Sequence, residues 1–127
     1  MTGRTILVVE DNPKNMKLVR DVLEFSGYDV IEAVTGEDGV RMAGQTPVDL
    51  VLMDLQLPGI DGIEALRLIR AGDRNRDIPV VAVTASAMSD ERERALASGF
   101  DGYVEKPISV RALAQQVEDF MSKGEAT

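Results

Sequence analysis

The chain is predicted to fold as a doubly wound α/β domain, a five-stranded parallel sheet covered by helices on both faces. Two observations predict it. Short β-branched runs, apolar at every position, recur along the chain, and between them lie longer stretches whose apolar residues return at every third or fourth position. Strands lacking polar alternation are buried on both faces, as in a parallel sheet between helical layers. Strict alternation of the two kinds of segment selects the βαβ architecture, with right-handed crossovers.

Ile6-Leu7-Val8-Val9 gives the first strand. Asn12 and Pro13 suit N-cap and first-turn positions, and Met16, Val19 and Leu23 then keep helical spacing until Gly27. Val30-Ile31 is a weaker second strand, and Gly36 to Gln45 a poorer helix carrying Val40 and Met42. The third strand is Leu50 to Met53. The helix after it carries Ile63, Leu66 and Ile69-Arg70 and ends near Gly72. Val80 to Val83 follows as the fourth strand, then a helix from Met88 to Ser98 with Gly99 as its C-terminal stop. Tyr103-Val104 forms the last strand. Ser109 can cap the last helix, whose Val110, Leu113, Val117, Phe120 and Met121 make the clearest amphipathic stripe. Met16, Met42, Met53, Met88 and Met121 read as core or edge packing. With no repeat or linker, residues 1–123 read as one domain and residues 124–127 as a flexible tail.

Composition narrows the chemistry. The 127 residues include 14 basic and 22 acidic side chains, a formal charge of −8, and neither cysteine nor histidine. A chain of this length buries roughly two-thirds of its unfolded surface, enough for a core without disulfide or metal. Lacking Cys and His, it has no zinc finger, thiol nucleophile, Ser-His-Asp triad or phosphohistidine. The acidic balance argues against duplex DNA as a partner. Apolar runs such as Ile6 to Val9 are too short to span a bilayer. The expectation is a soluble, cytoplasmic protein.

Ligands of doubly wound folds sit beyond the carboxyl ends of the strands. There the chain places Glu10-Asp11-Asn12, Asp54, Thr84-Ala85-Ser86 and Glu105-Lys106-Pro107. Singly these are ordinary: an Asp caps or turns, a Lys is solvated. Together, three carboxylates (Glu10, Asp11, Asp54), the Thr84 hydroxyl and the Lys106 ammonium converge on one rim. Two carboxylates about 4 Å apart repel by roughly 4 kcal/mol at an effective dielectric near 20. Lys106 supplies one compensating charge, so a hard divalent cation with oxygen ligands and retained waters, such as Mg2+, suits the remainder. An anion then becomes bindable by metal, ammonium and hydroxyl together.

The stretches ILVVEDN (6–12), LVLMDLQLPGIDG (50–62), VVAVTASA (80–87) and YVEKPIS (103–109) resemble the receiver domain of two-component response regulators, the CheY-like fold, over essentially the whole chain. EDNPKNMKLV, LEFSGYDV, TASAM and KPIS are most similar to single-domain regulators and to receivers of hybrid histidine kinases. The resemblance implies the flavodoxin-like strand order 2-1-3-4-5. It implies Asp54 as phosphoacceptor and Mg2+ (or Mn2+) held by Asp11, by Glu10 directly or through water, by Asp54 and by the backbone carbonyl of Gln56. Thr84 and Lys106 would contact the phosphoryl group, Pro107 would follow a cis peptide bond, and Tyr103 would change rotamer with phosphorylation. Tyr103 also has a plain reading as a strand-end aromatic packed on a helix. Glu10 departs from the Asp that many receivers carry. Gln56 and Ser86 would flank the water path of dephosphorylation.

The resemblance therefore implies a stand-alone receiver, not an enzyme in the usual sense although it assists its own phosphorylation and dephosphorylation. The donor histidine must come from a histidine kinase or phosphotransfer protein. A downstream protein would read the face of the fourth helix, fifth strand and fifth helix, without DNA or membrane insertion. The alternatives are a phosphorelay intermediate and an aspartyl-nucleophile phosphohydrolase of the haloacid dehalogenase type. The latter wants a second acid two residues after the nucleophile, where this chain has Gln56. A nucleotide or flavin module would want a glycine-rich loop after the first strand, and none is present.

Overall fold

Ten elements alternate along the chain: β1 (Thr5–Val9), α1 (Pro13–Phe25), β2 (Asp29–Ala33), α2 (Gly36–Gln45), β3 (Leu50–Asp54), α3 (Gly62–Ala71), β4 (Val80–Thr84), α4 (Ser89–Ala97), β5 (Gly102–Glu105) and α5 (Val110–Glu125). They come from a computed structural model that describes residues 4–72, 77–84, 89–106 and 108–125. The expected features at Ser86, Met88 and Pro107 lie outside the described residues.

The five strands form one parallel sheet in the order β2-β1-β3-β4-β5, as expected. The chain steps from β1 out to β2 and then back across to β3, so a crevice opens between the carboxyl ends of β1 and β3. Alternate side chains build two cores. Leu7, Val9, Val51, Met53, Val80 and Ala82 pack with Ala43 of α2, Ala65, Leu66 and Ile69 of α3, and Ala95 of α4. Ile6, Val8, Leu50, Leu52, Val81 and Val83 pack with Met16, Val19 and Leu23 of α1 and Leu113, Val117 and Met121 of α5. β1, β3 and β4 are the strands buried on both faces; edge strand β2 fully buries only Ala33.

Helix ends follow local chemistry. The Asn12 side chain accepts from the N–H groups of Lys14 and Asn15 at 2.9 and 3.2 Å, with Pro13 at the first helical position. Ser109 Oγ accepts from Ala112 N–H at 3.2 Å. Gly27 and Gly99, at φ 97° and 108°, stand just past α1 and α4, where a left-handed residue ends a helix. Thr35 and Asp61 cap α2 and α3, roles the sequence reading did not assign.

In α2, Val40 and Met42 pack partly buried against the core beside the buried Gly36, Gly39 and Ala43. Two expectations need correction. Val110 is 58% exposed and stands outside the α5 stripe. α5 itself continues to Glu125, past the boundary expected at Lys123.

The small-residue face of α2 has a steric cause. A Cβ on Gly39 would lie 2.8 Å from Val9 Cγ2, so glycine lets α2 settle directly onto β1. Gly44, in the same helix, has nothing within 4 Å of a Cβ. Gly44→Ala should therefore stabilise by roughly 0.5–1 kcal/mol through helix propensity. Gly39→Ala should lose about 1–3 kcal/mol by overpacking, despite the same propensity gain. Urea denaturation of the two variants against the parent checks the opposite signs.

Candidate functional site

The rim above β1, β3, β4 and β5 gathers the acidic, hydroxyl and amino groups. Val9 pairs with Met53, so Glu10, the next residue, emerges alongside Asp54, the last residue of β3. The Glu10 carboxylate is turned inward and the residue is 4% exposed. Its Oε2 accepts from Asn12 N–H at 3.0 Å, and its Oε1 lies 3.2 Å from Lys106 Nζ. Asp11 is exposed beside it.

Asp54 is 3% exposed. Its Oδ1 accepts from Gln56 N–H at 2.9 Å, and its Oδ2 takes the Lys106 ammonium at 2.9 Å. Lys106 is delivered by one backbone hydrogen bond beyond β5, its N–H donating to Thr84 O at 2.7 Å. Thr84 ends β4 and is buried. Tyr103 pairs in register with Ala82 and packs, half-buried, on the same core as Ala82. Two residues further along β4, Thr84 falls on that same face of the sheet.

Gly62 does more than make a turn. A Cβ there would lie 2.6 Å from Asp54 O and 2.9 Å from Leu55 Cα. Its N–H donates to Leu55 O at 3.3 Å, while Leu55 N–H donates to Val83 O at 3.0 Å. The absence of a side chain thus lets α3 begin directly against the Asp54 backbone. No periodicity signals this; the only trace in the sequence is the Asp-Gly pair.

Charge is unevenly matched. Burial pushes the Glu10 carboxyl above its ordinary range, and the charge of Asp54 adds to this against the opposing Asn12 N–H and Lys106. Burial alone would pull the Lys106 ammonium down, but Asp54 and then Glu10 outweigh it and hold it above its usual value. Glu10, Asp11 and Asp54 each bring a carboxylate oxygen within 4.8 Å of the others. Three carboxylates against one ammonium, all oxygen donors without nitrogen or sulfur, fit a hard cation such as Mg2+. Of the expected site residues, the structure brings together Glu10, Asp11, Asp54 and Lys106, with Thr84 adjoining and Gln56 bound through its backbone N–H.

The profile of the response regulator receiver domain matches residues 6–118. The chain belongs to that family. This receiver is 40% identical over 118 residues to the polar-differentiation response regulator DivK of Brucella anthropi, covering 93% of this chain and 96% of DivK. In three dimensions it resembles the receiver domain of sensor histidine kinase PA1611 from Pseudomonas aeruginosa PAO1, whose crystal structure has a magnesium ion coordinated in the active-site cleft. The TM-score is 0.88 with 36% identity, covering 95% of this chain and 99% of that one. A CheY-like receiver from Methanospirillum hungatei JF-1 superposes with a TM-score of 0.89 at 26% identity, covering 98% of each chain. No helix among the described residues is long and apolar enough to cross a membrane.

The raised Glu10 pKa has a testable sign. Between the ordinary value of 4.5 and the raised folded value, the native state binds more protons than the unfolded one. Metal-free stability attributable to Glu10 therefore falls as pH rises through that window and levels above it. In chelator, the stability difference between Glu10→Gln and the parent should grow in favour of the variant across the window. A difference independent of pH in denaturant titrations would remove burial as the governing effect.

Proposed function

We propose that the chain is a stand-alone receiver that accepts a phosphoryl group on Asp54 from a phosphohistidine of a kinase or phosphotransfer protein, and signals in the cytoplasm by changing its protein contacts. The observation that carries this reading is the buried Asp54 carboxylate, bonded to Lys106 Nζ at 2.9 Å and set within 4.8 Å of the Glu10 and Asp11 oxygens. The 40% identity to the response regulator DivK, over 96% of its length, supports this reading.

Asp11, Glu10, Asp54 and the Gln56 carbonyl would hold Mg2+ or Mn2+, which when bound supplies positive charge to the phosphoryl oxygens. An Asp54 carboxylate oxygen attacks phosphorus, the phosphorus–nitrogen bond of the donor breaks, and the leaving imidazole recovers a proton. A carboxylate is a weak nucleophile, so the chain contributes position and electrostatics. Lys106, already aimed at Asp54, offsets charge on the transferring group. Thr84 offers its hydroxyl to a phosphoryl oxygen, and Gln56 borders the route by which water later cleaves the acyl phosphate.

Likeness to the PA1611 receiver, part of a sensor kinase, favours one second reading, an intermediate that passes phosphate to a phosphotransfer protein. Retro-phosphotransfer separates the two: rapid return of phosphate from Asp54 to a histidine-containing partner supports the relay.

Intact-mass measurement with Mg2+ and a small acyl-phosphate donor should show one added phosphoryl group, absent in Asp54→Asn and absent with chelator. Asp11→Asn should need much more Mg2+ to reach the same extent. Undiminished labelling of Asp54→Asn would displace Asp54 as the acceptor.

Signal transfer has its own test. Phosphorylation adds between one and two negative charges and three acceptor oxygens. Drawing Thr84 towards them frees space on the face it shares with Tyr103, and inward rotation of Tyr103 then reshapes the α4–β5–α5 surface. A partner reads this only if it binds the two states unequally. Thr84→Ala should keep Asp54 phosphorylation yet lose most of the phosphorylation-dependent gain in partner affinity, with Tyr103→Ala a weaker version. An unchanged gain in Thr84→Ala, measured by calorimetry with a cognate partner, would refute this route.

A further inference from the structure

The first turn of α2 carries two acids, Glu37 and Asp38, with different roles. Asp38 turns back along its own helix, its Oδ1 3.2 Å from Arg41 Nη2. Glu37 instead reaches across to the loop between β3 and α3, where Ile60 N–H donates to its Oε2 at 3.4 Å. The carboxylate also lies hard against Gly59, where a Cβ would meet Oε2 at 2.6 Å and Oε1 at 3.0 Å. Gly59 has φ +76°, a conformation other residues rarely take. Ile60 in turn rests on Gly36, where a Cβ would lie 2.8 Å from Ile60 Cγ1 and 2.9 Å from Ile60 O. The tip of the loop is thereby docked on α2.

The base of that loop is the site itself. Gln56 N–H orients Asp54 through Oδ1 at 2.9 Å, and the loop closes on itself where Gly62 N–H meets Leu55 O at 3.3 Å. Gln56 is therefore held between a strand end on one side and the docked tip on the other. We infer that Glu37 is a positioning residue for the acidic site, holding Gly59–Ile60 so that the Gln56 backbone keeps Asp54 aligned for cation and phosphoryl binding. This role rests on Asp54 being the Mg2+-dependent phosphoacceptor.

The test uses the full chain, freed of metal and titrated with Mg2+ by calorimetry, together with the rate of Asp54 phosphorylation from a small acyl-phosphate donor. Outer partners of metal ligands commonly matter 10–100-fold, and one further step away Glu37→Ala should weaken Mg2+ binding by about 3- to 10-fold and slow phosphorylation in proportion. Metal-free thermal stability should stay at the parent value, since Glu37 is exposed. Glu37→Gln keeps an acceptor for Ile60 N–H while removing the charge, and should retain most of the affinity. Asp38→Asn removes a charge from the same turn without touching the loop and should also retain it.

Parent-like Mg2+ binding by Glu37→Ala would overturn the inference. So would an equal loss in Glu37→Gln or Asp38→Asn, which would assign the effect to long-range charge. If the parent itself showed no Asp54-dependent phosphorylation, the phosphoacceptor reading would fail and this role with it; a normal parent beside a parent-like Glu37→Ala removes the Glu37 role alone.

Discussion

One ammonium group stands between two buried carboxylates, and the rim of the sheet is built around it. Lys106 Nζ lies 2.9 Å from Asp54 Oδ2 and 3.2 Å from Glu10 Oε1. Lys106 follows β5, whereas Asp54 ends β3, with β4 between them. Adjacent strands are about 4.8 Å apart, so the contact crosses roughly two strand spacings, which takes a long side chain. The route runs over the carboxyl end of β4, where Thr84 stands. An ammonium is a compact charge with three donors and can serve two acids at once; a planar guanidinium is matched to one carboxylate in a bidentate fork. Removing it would leave two buried acids uncompensated, a change that typically costs about 3–5 kcal/mol for a buried pair.

The two rims of the sheet use charge differently. At the amino ends of the strands, Arg70 bridges Asp101 at 2.9 Å and donates to Ile78 O at 2.6 Å, while Asp101 Oδ2 also accepts from Val80 N–H at 2.8 Å. Nearby, the Tyr28 hydroxyl donates to Glu118 at 2.6 Å, and burial together with that carboxylate pushes its pKa up to about 12. Those groups tie α3 to β4 and β2 to α5, with each acid matched to a donor. At the carboxyl ends, Glu10 and Asp54 share one ammonium, with the Asp11 carboxylate clustered beside them. Both rims cap the same aliphatic sheet, so the difference lies in composition. The matched rim ties elements together, and the unmatched rim carries the acidic cluster proposed to hold a cation.

The fold was legible because hydropathy registers what fills the core: Leu50 to Met53 and Val80 to Val83 are buried throughout. The site was legible because its groups fall just past those runs, at Glu10, Asp54, Thr84 and Lys106. Close approach between backbones was not legible. Glycine carries no hydropathy signal, so α2 read as poor and was assigned Val40 and Met42, although Gly36, Gly39 and Ala43 face the core. Gly62, with which α3 begins, is silent in hydropathy for the same reason. Asp61 carries no periodic signal, and only the geometry shows its side chain accepting from Glu64 N–H at 2.9 Å. The sharing of Lys106 by Glu10 and Asp54 depends on strand order, which residue spacing does not contain.

The backbone around the site leaves little room for strands to slide. Leu55 N–H is bonded to Val83 O, Lys106 N–H to Thr84 O, and Glu10 N–H to Ala33 O, at 2.7 to 3.0 Å. Five strand ends are thereby pinned pairwise at the level of the functional groups. Under the proposed phosphorylation, a new charge at Asp54 would have to be accommodated by side chains, since moving a strand would break these bonds and disturb two close-packed cores. The compliant element is then a helix. Among the described side chains of α4 only Ala95 is buried, whereas α1 and α5 each bury three apolar residues. An element with little apolar anchorage opens or shifts at the lowest cost. The proposed rearrangement beginning at Thr84 would therefore meet its least resistance at α4. The pinned strand ends and the sparse burial among the described side chains of α4 are complementary: in the proposed switch, one would confine the response to side chains, and the other would determine which surface shows it.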